Sequence, residues 1–161
     1  MPRALTLIWP LTASPLFGQH DGHHNAVNAR GDQAMGFSHE KTTHHFLLTD
    51  TGGVIPVEAN DVADTQSRDQ IRQHLTHIAM MFTADNFQVP MLLHDQAPPP
   101  GVPAMKQHKK AIYCDCENAA RGAQLRITTK DKKAVKAIHA FLRFQISDHK
   151  TCNSTEISKE P

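Results

Sequence analysis

"THHFLLTDTGGVIPVEA", residues 43–59, is the stretch on which the fold turns. Thr43 to Leu48 is rich in residues that suit a pleated strand, and "VIPVEA" (54–59) is a second such run. Between them stands "DTGG", Asp50 to Gly53, a turn signal that joins the two runs into a hairpin. Pro56 has no N–H to give to a ladder, so it argues for an edge position of the return strand.

The segment after the hairpin is built to start a helix. Asp64, Thr65 and Ser67 are cap candidates, and Asp69 puts negative charge in the first turn. "SRDQIRQHLTHIAMMF" (67–82) then sets Ile71, Leu75, Ile78 and Phe82 at spacings of four, three and four, one apolar face of a helix that "ADNFQVP" (84–90) ends. The second half repeats the order. "KAIYCDCEN" (110–118) reads as a strand, "NAARG" as a turn, and "AQLRITT" (123–129) alternates Leu125, Ile127 and Thr129 against Gln124, Arg126 and Thr128. Asp131 caps a helix expected from about Lys132 to Ser147, with Val135, Ile138, Leu142 and Ile146 as its stripe. The connector "MLLHDQAPPPGVPAMK" (91–106) holds too many prolines for regular helix or a central strand, and "PPPGVP" stiffens the crossing between units.

The expectation is an α+β fold in which two ββα units form a mainly antiparallel four-stranded sheet, with two helices packed on one face. Each unit alone would leave its helix stripe half exposed, and joining them buries both. The organisation expected is a signal segment at 1–18, a flexible histidine-rich leader at 19–36, a single domain at 37–150 and a frayed polar tail at 151–161.

Length and composition agree with one packed domain. The chain has 161 residues, 39% hydrophobic and 20% charged, enough to bury a core without staples. Seventeen basic residues against 16 acidic ones leave a formal charge of +1, no footprint for nucleic acid or an anionic membrane. At the N-terminus, Arg3 followed by the apolar run Ala4 to Ala13 has the form of a secretory signal. Pro10 and Pro15 break that run, which is too short to span a bilayer. The place of work expected is periplasmic or secreted. Three cysteines accompany it: Cys114 and Cys116 share one face of a strand, and Cys152 lies in the tail, where a disulfide to one of the pair would leave one thiol over.

Four strings, "MGFSHEKTTHHF", "SRDQIRQHLTHIAMMF", "HDQAPPPGVPAMK" and "AIHAFLRFQISDHKT", resemble an uncharacterised family of small exported bacterial proteins. The similarity covers roughly residues 35–151. It implies export and a single domain, and it brings no activity, cofactor or site residue. The Cys114/Cys116 pair departs from the pattern of that family.

The chemistry rests on 12 histidines. On the first helix His74 and His77 lie one turn apart, beside Met81, and two imidazoles so spaced can chelate one ion. Histidine suits zinc and copper, and a thioether favours Cu(I). His139 holds a comparable place on the second helix. His44 and His45 point to opposite faces of the first strand, so one alone can face the helices. His94 stands beside Asp95, a carboxylate able to orient or ligate. The metal set expected is thus His74 and His77, completed by His139 or His45 and oriented by His94 or Asp95. "HDGHH" (20–24) in the leader is a separate, loose binder of copper, nickel or zinc.

The function that follows is copper or zinc binding, sensing or storage. Two other classes compete. One is a structural or ligand-binding module with incidental histidines, or a homodimer formed through a sheet edge. The other is a small enzyme using His94 with Asp95, or His74 with Asp69, in acid–base work. No G-x-S-x-G elbow or phosphate-cradling glycine loop is present.

Overall fold

The computed structural model describes residues 31, 32, 35–84, 86 and 98–158. The first hairpin forms as expected, and one residue interrupts it. β1 (Thr42–His44) and β2 (Leu47–Thr49) both run antiparallel to β3 (Gly52–Ala59), His44 opposite Val57 and Leu47 opposite Val54. The register is continuous across His45 and Phe46, so the two short strands follow a single track. The gap between them has one cause. His45 donates its N–H to the Pro56 carbonyl at 2.9 Å. In an antiparallel pair the reciprocal bond would come from the N–H of Pro56, which does not exist.

Pro56 therefore sits in an interior strand and not at the edge expected for it. β3 lies between β1/β2 and β5. A residue's N–H and C=O point toward the same neighbour, so the missing donor faces the β1/β2 track and leaves the β5 side intact. On that side Ile55 pairs with Leu125 and Val57 with Ala123.

β4 (Ile112–Ala119) and β5 (Gly122–Thr129) form the second hairpin around the two-residue turn Ala120-Arg121. The sheet order is β4-β5-β3-β2, and β6 (Ile157–Ser158) closes it in parallel beside β2. The α+β class and the mainly antiparallel sheet stand. The count of four strands and two helices does not: the described residues hold six strands and three helices. One extra strand comes from the proline break. Another comes from the tail, expected to fray, which docks Ile157 against Leu48. Asn153 helps to hold it there, its Oδ1 accepting the Phe46 N–H at 3.1 Å.

α1 (Thr65–Thr83) starts at Asp64, whose carboxylate accepts the Ser67 N–H at 2.9 Å and the Ser67 hydroxyl at 2.7 Å. Of the three cap candidates, Asp64 takes the role. α2 (Val102–Gln107) is the third helix, inside the connector from which helix was excluded. Pro103 stands in its first turn, where a helix has no use for the N–H that proline lacks. α3 (Lys132–His149) is capped by Asp131, which accepts from the N–H groups of Lys133 and Ala134, and it ends at Lys150 in the left-handed conformation (φ 50°). No helix of the described residues is long and apolar enough to cross a membrane.

Both long helices cover one sheet face. Ile71, Leu75, Ile78 and Phe82 of α1 join Ile138, Phe141, Leu142 and Ile146 of α3 in a single core with Ile55, Val57, Leu125 and Ile127. The two stripes meet where Phe82 contacts Phe141 edge to face, ring centroids 6.1 Å apart. α3 and α2 sit against backbone. A methyl group added at Gly53 would reach within 2.2 Å of Leu142 Cδ1, and one added at Gly101 within 2.1 Å of the Ala137 carbonyl oxygen.

Candidate functional site

Strand parity decides which of the paired histidines turns inward. His44 stands opposite Val57, a core residue, so it faces the helices. His45 faces outward, where its Nδ1 accepts a hydrogen bond from the Asn153 amide at 2.9 Å. The residue expected to complete a metal shell is thus the outward one of the two. Around His44 the rings gather. Phe37 stacks on His44 with centroids 6.0 Å apart, and the same phenylalanine meets His74 of α1 edge to face at 5.7 Å. Phe46 stacks on His149 at the end of α3, also at 5.7 Å.

This packing controls protonation. Burial first, then the positive charge that His149, His74, His45 and His39 would carry, lowers the His44 pKa to about 3. Burial, followed by His77, lowers His74 to about 4. Both rings are neutral at neutral pH, and a neutral imidazole keeps one nitrogen lone pair free to accept a proton or bind a metal.

His139 is a different object. It is buried, and its Nε2 lies 2.8 Å from the Thr49 carbonyl oxygen. A carbonyl only accepts, so Nε2 carries the proton and the ring ties α3 to β2. His44 and Thr49 are five residues apart on one track, about 17 Å at strand spacing. His74, packed beside His44 through Phe37, and His139, bonded at Thr49, therefore lie toward opposite ends of the track and do not meet as expected. Among the described residues no three His, Cys, Asp or Glu side chains converge on a point where they could hold a metal ion. His94, Asp95 and the "HDGHH" leader lie outside the described residues. Asp69, paired with His74 in the acid–base alternative, is engaged by Arg68 Nε at 2.9 Å and by Arg72.

What the structure does bring together is a groove of about 650 Å³ beside α1. His74 and His77 both line it, with Met80 from the same helix and Met35 from the segment before β1. Arg72 and Asn118 of β4 form part of its wall. The thioether on the groove belongs to Met80 and not to Met81, the residue expected in the stripe. Met80 is 59% exposed, a large apolar side chain left in water. Arg72 is held in place by the carbonyls of Ala119 (2.7 Å) and Gly122 (3.1 Å), which fixes α1 against the turn of the second hairpin.

No cysteine is among the described residues that line this groove, although Cys116 is hydrogen-bonded to Thr76, which is. Cys114 and Cys116 face the helices from β4, and Cys116 Sγ accepts the Thr76 hydroxyl at 3.7 Å. Burial, then the Asp115 charge, pushes the Cys114 thiol up to about 12, so it is a neutral thiol and a poor metal ligand at neutral pH. Cys152 is exposed, and all three are free. The disulfide considered from the sequence is ruled out by sheet order. Cys152 neighbours Asn153, which is bonded at His45 and Phe46, three inter-strand steps from β4. That is about 14 Å, twice the reach of a disulfide between Cα atoms.

Of the residues that matter here, sequence reasoning missed His44 as the inward histidine, Met35 and Met80 as groove residues, and His149 as the ring on Phe46. The first was within reach, since the hairpin register that puts Val57 in the core also puts His44 there. The others depend on chain segments meeting across the fold. No family model, no curated protein and no solved structure matches this chain, so the groove is read from its own chemistry.

Proposed function

We propose that this chain is an exported transition-metal-binding protein that holds copper or zinc on His74 and His77, for binding, sensing or storage and not for turnover. The observation that carries the reading is that these two imidazoles, one helical turn apart, open on the same groove. His74 is moreover kept neutral by burial, so no proton competes for its ligating nitrogen at neutral pH. His139 and His45 are left to structural duty, since their ring nitrogens serve Thr49 and Asn153. The test is elemental analysis and metal titration of the untagged full chain, with the double substitution His74→Ala, His77→Ala alongside. Retained copper or zinc that disappears in the double variant supports the reading. A wild-type chain that retains neither ion, or a variant that binds as well as wild type, overturns it.

A second reading, self-association through the sheet edge, is favoured by one observation. β4 ends the sheet on its side among the described residues and carries Tyr113, 65% exposed. Light scattering at rising protein concentration tests it, and a monomer throughout removes it.

A further inference from the structure

We infer that the groove beside α1 selects a soft monovalent ion, Cu(I), through the thioethers of Met35 and Met80 acting with His74 and His77; the inference rests on the metal-binding reading above and names its ion. Three features of the groove point the same way. First, its sulfur donors are placed from two sides. Met80 follows His77 by three residues, as His77 follows His74, so each neighbouring pair has Cβ atoms about 5–6 Å apart on the helix surface. Met35 reaches the groove from a separate segment, packed against the core. Second, among the described residues no carboxylate lines the groove: its donors are imidazole, thioether, amide and hydroxyl, all neutral. A bound divalent ion would keep its full charge of two, whereas Cu(I) keeps one. Third, the charged side chain in the wall is cationic: Arg72, pinned by two backbone carbonyls and unable to swing away without losing them, with Asp69 at 3.7 Å offsetting part of its charge. A fixed positive charge penalises a divalent ion about twice as much as a monovalent one at the same distance. Thioether sulfur is a soft donor that suits Cu(I), and it is not among the usual ligands of zinc, which are thiolate, imidazole and carboxylate.

The exposure of Met80 fits this use. A large flexible thioether in water gains nothing from packing, and it is free to swing onto an ion, since methionine has three rotatable bonds and a polarizable sulfur. Met105, by contrast, is fully buried and serves the core.

The experiment uses the full chain labelled with carbon-13 at its six methionine methyl groups. It is titrated with Ag(I), a redox-inert stand-in for Cu(I), past the three equivalents that the free thiols take up, and separately with Zn(II). The expected result is that Ag(I) shifts the methyl signals of Met35 and Met80 while that of Met105 stays in place, and that Zn(II) moves neither groove methyl. The pair Met35→Leu, Met80→Leu, which keeps apolar volume, is expected to weaken Cu(I) binding at least tenfold in a competition assay and to leave Zn(II) binding unchanged. If Ag(I) or Zn(II) perturbs the ring signals of His74 and His77 but Ag(I) leaves both groove methyls unmoved, the thioether inference is overturned and the metal-binding reading survives. If neither ion moves the His74 and His77 rings or the groove methyls, both fall.

Discussion

His139 and His74 occupy comparable places beside the apolar stripes of the two long helices, yet the molecule treats them in opposite ways. His139 is sealed in the core with its Nε2 proton committed to the Thr49 carbonyl. His74 is held neutral between Phe37 and the groove, and no hydrogen bond to its ring nitrogens is formed within the described residues that would commit it. The difference lies in what each helix packs against. α3 rests on strand ends and glycine backbone so close that a methyl group would collide. α1 rests on the second hairpin and carries a face along which Met35 and Asn118 leave room for a guest. A histidine beside a core stripe is thus locked or left open according to the space above it, and the helix pattern alone does not distinguish the two.

The contrast can be broken most forcefully on the tight side. Gly101→Ala combines a residue at φ 87° with a Cβ 2.1 Å from the Ala137 oxygen, both backbone constraints. A destabilisation of about 3 kcal/mol or more is expected by urea unfolding. The equivalent loosening on the other side has no such partner. His139→Leu removes the donor to the Thr49 carbonyl from a buried site and is expected to cost about 2 kcal/mol. His74→Leu, on the groove, is expected to cost less than about 1 kcal/mol. Equal losses from the two leucine variants would erase the distinction drawn here.

Acid sharpens the comparison. The pKa values of His44 and His74 are lower in the folded chain than in the unfolded one, where they return to about 6.5. Above pH 6.5 both states are neutral and these groups leave stability independent of pH. Below it the unfolded chain takes up protons that the folded chain refuses, so stability falls with decreasing pH. The fall runs from about 6.5 to about 4 for His74 and to about 3 for His44. Each group contributes at most about 1.4 kcal/mol per pH unit, less to the extent that solvent reaches its ring. Unfolding free energies at pH 7 and pH 5 should differ in this direction, and His44→Phe, which keeps a ring on Phe37, should flatten the slope. An unchanged slope in that variant would remove His44 from the acid response. A further small effect concerns the start of α1. Asp64→Ala, which loses the bonds from Ser67, should cost about 1 kcal/mol in the same unfolding measurement.

Much of the architecture was legible because it follows from periodicity. The stripes Ile71–Leu75–Ile78–Phe82 and Val135–Ile138–Leu142–Ile146 placed both long helices, and Asp64 and Asp131 marked their starts. The alternation of Leu125, Ile127 and Thr129 placed the buried face of β5. Pro56 misled, because a proline is excluded from a central strand only if a neighbour needs its N–H. Here the need falls on one bond, at His45, and the sheet tolerates the gap. The candidate site was legible by half. His74 and His77 could be paired from spacing alone, whereas Met35, Met80 and the cation at Arg72 reach the groove only after distant segments have folded together.

By itself, then, the order of residues determined the two long helices, their caps and the buried face of β5, because those depend on neighbours within a few positions. Which histidine turned inward, which was locked to a carbonyl and which was left beside open space were decided by tertiary packing. The reason is physical. The state of an imidazole depends on the burial, charges and hydrogen-bond partners around it, and these are brought there by strands and helices far away along the chain.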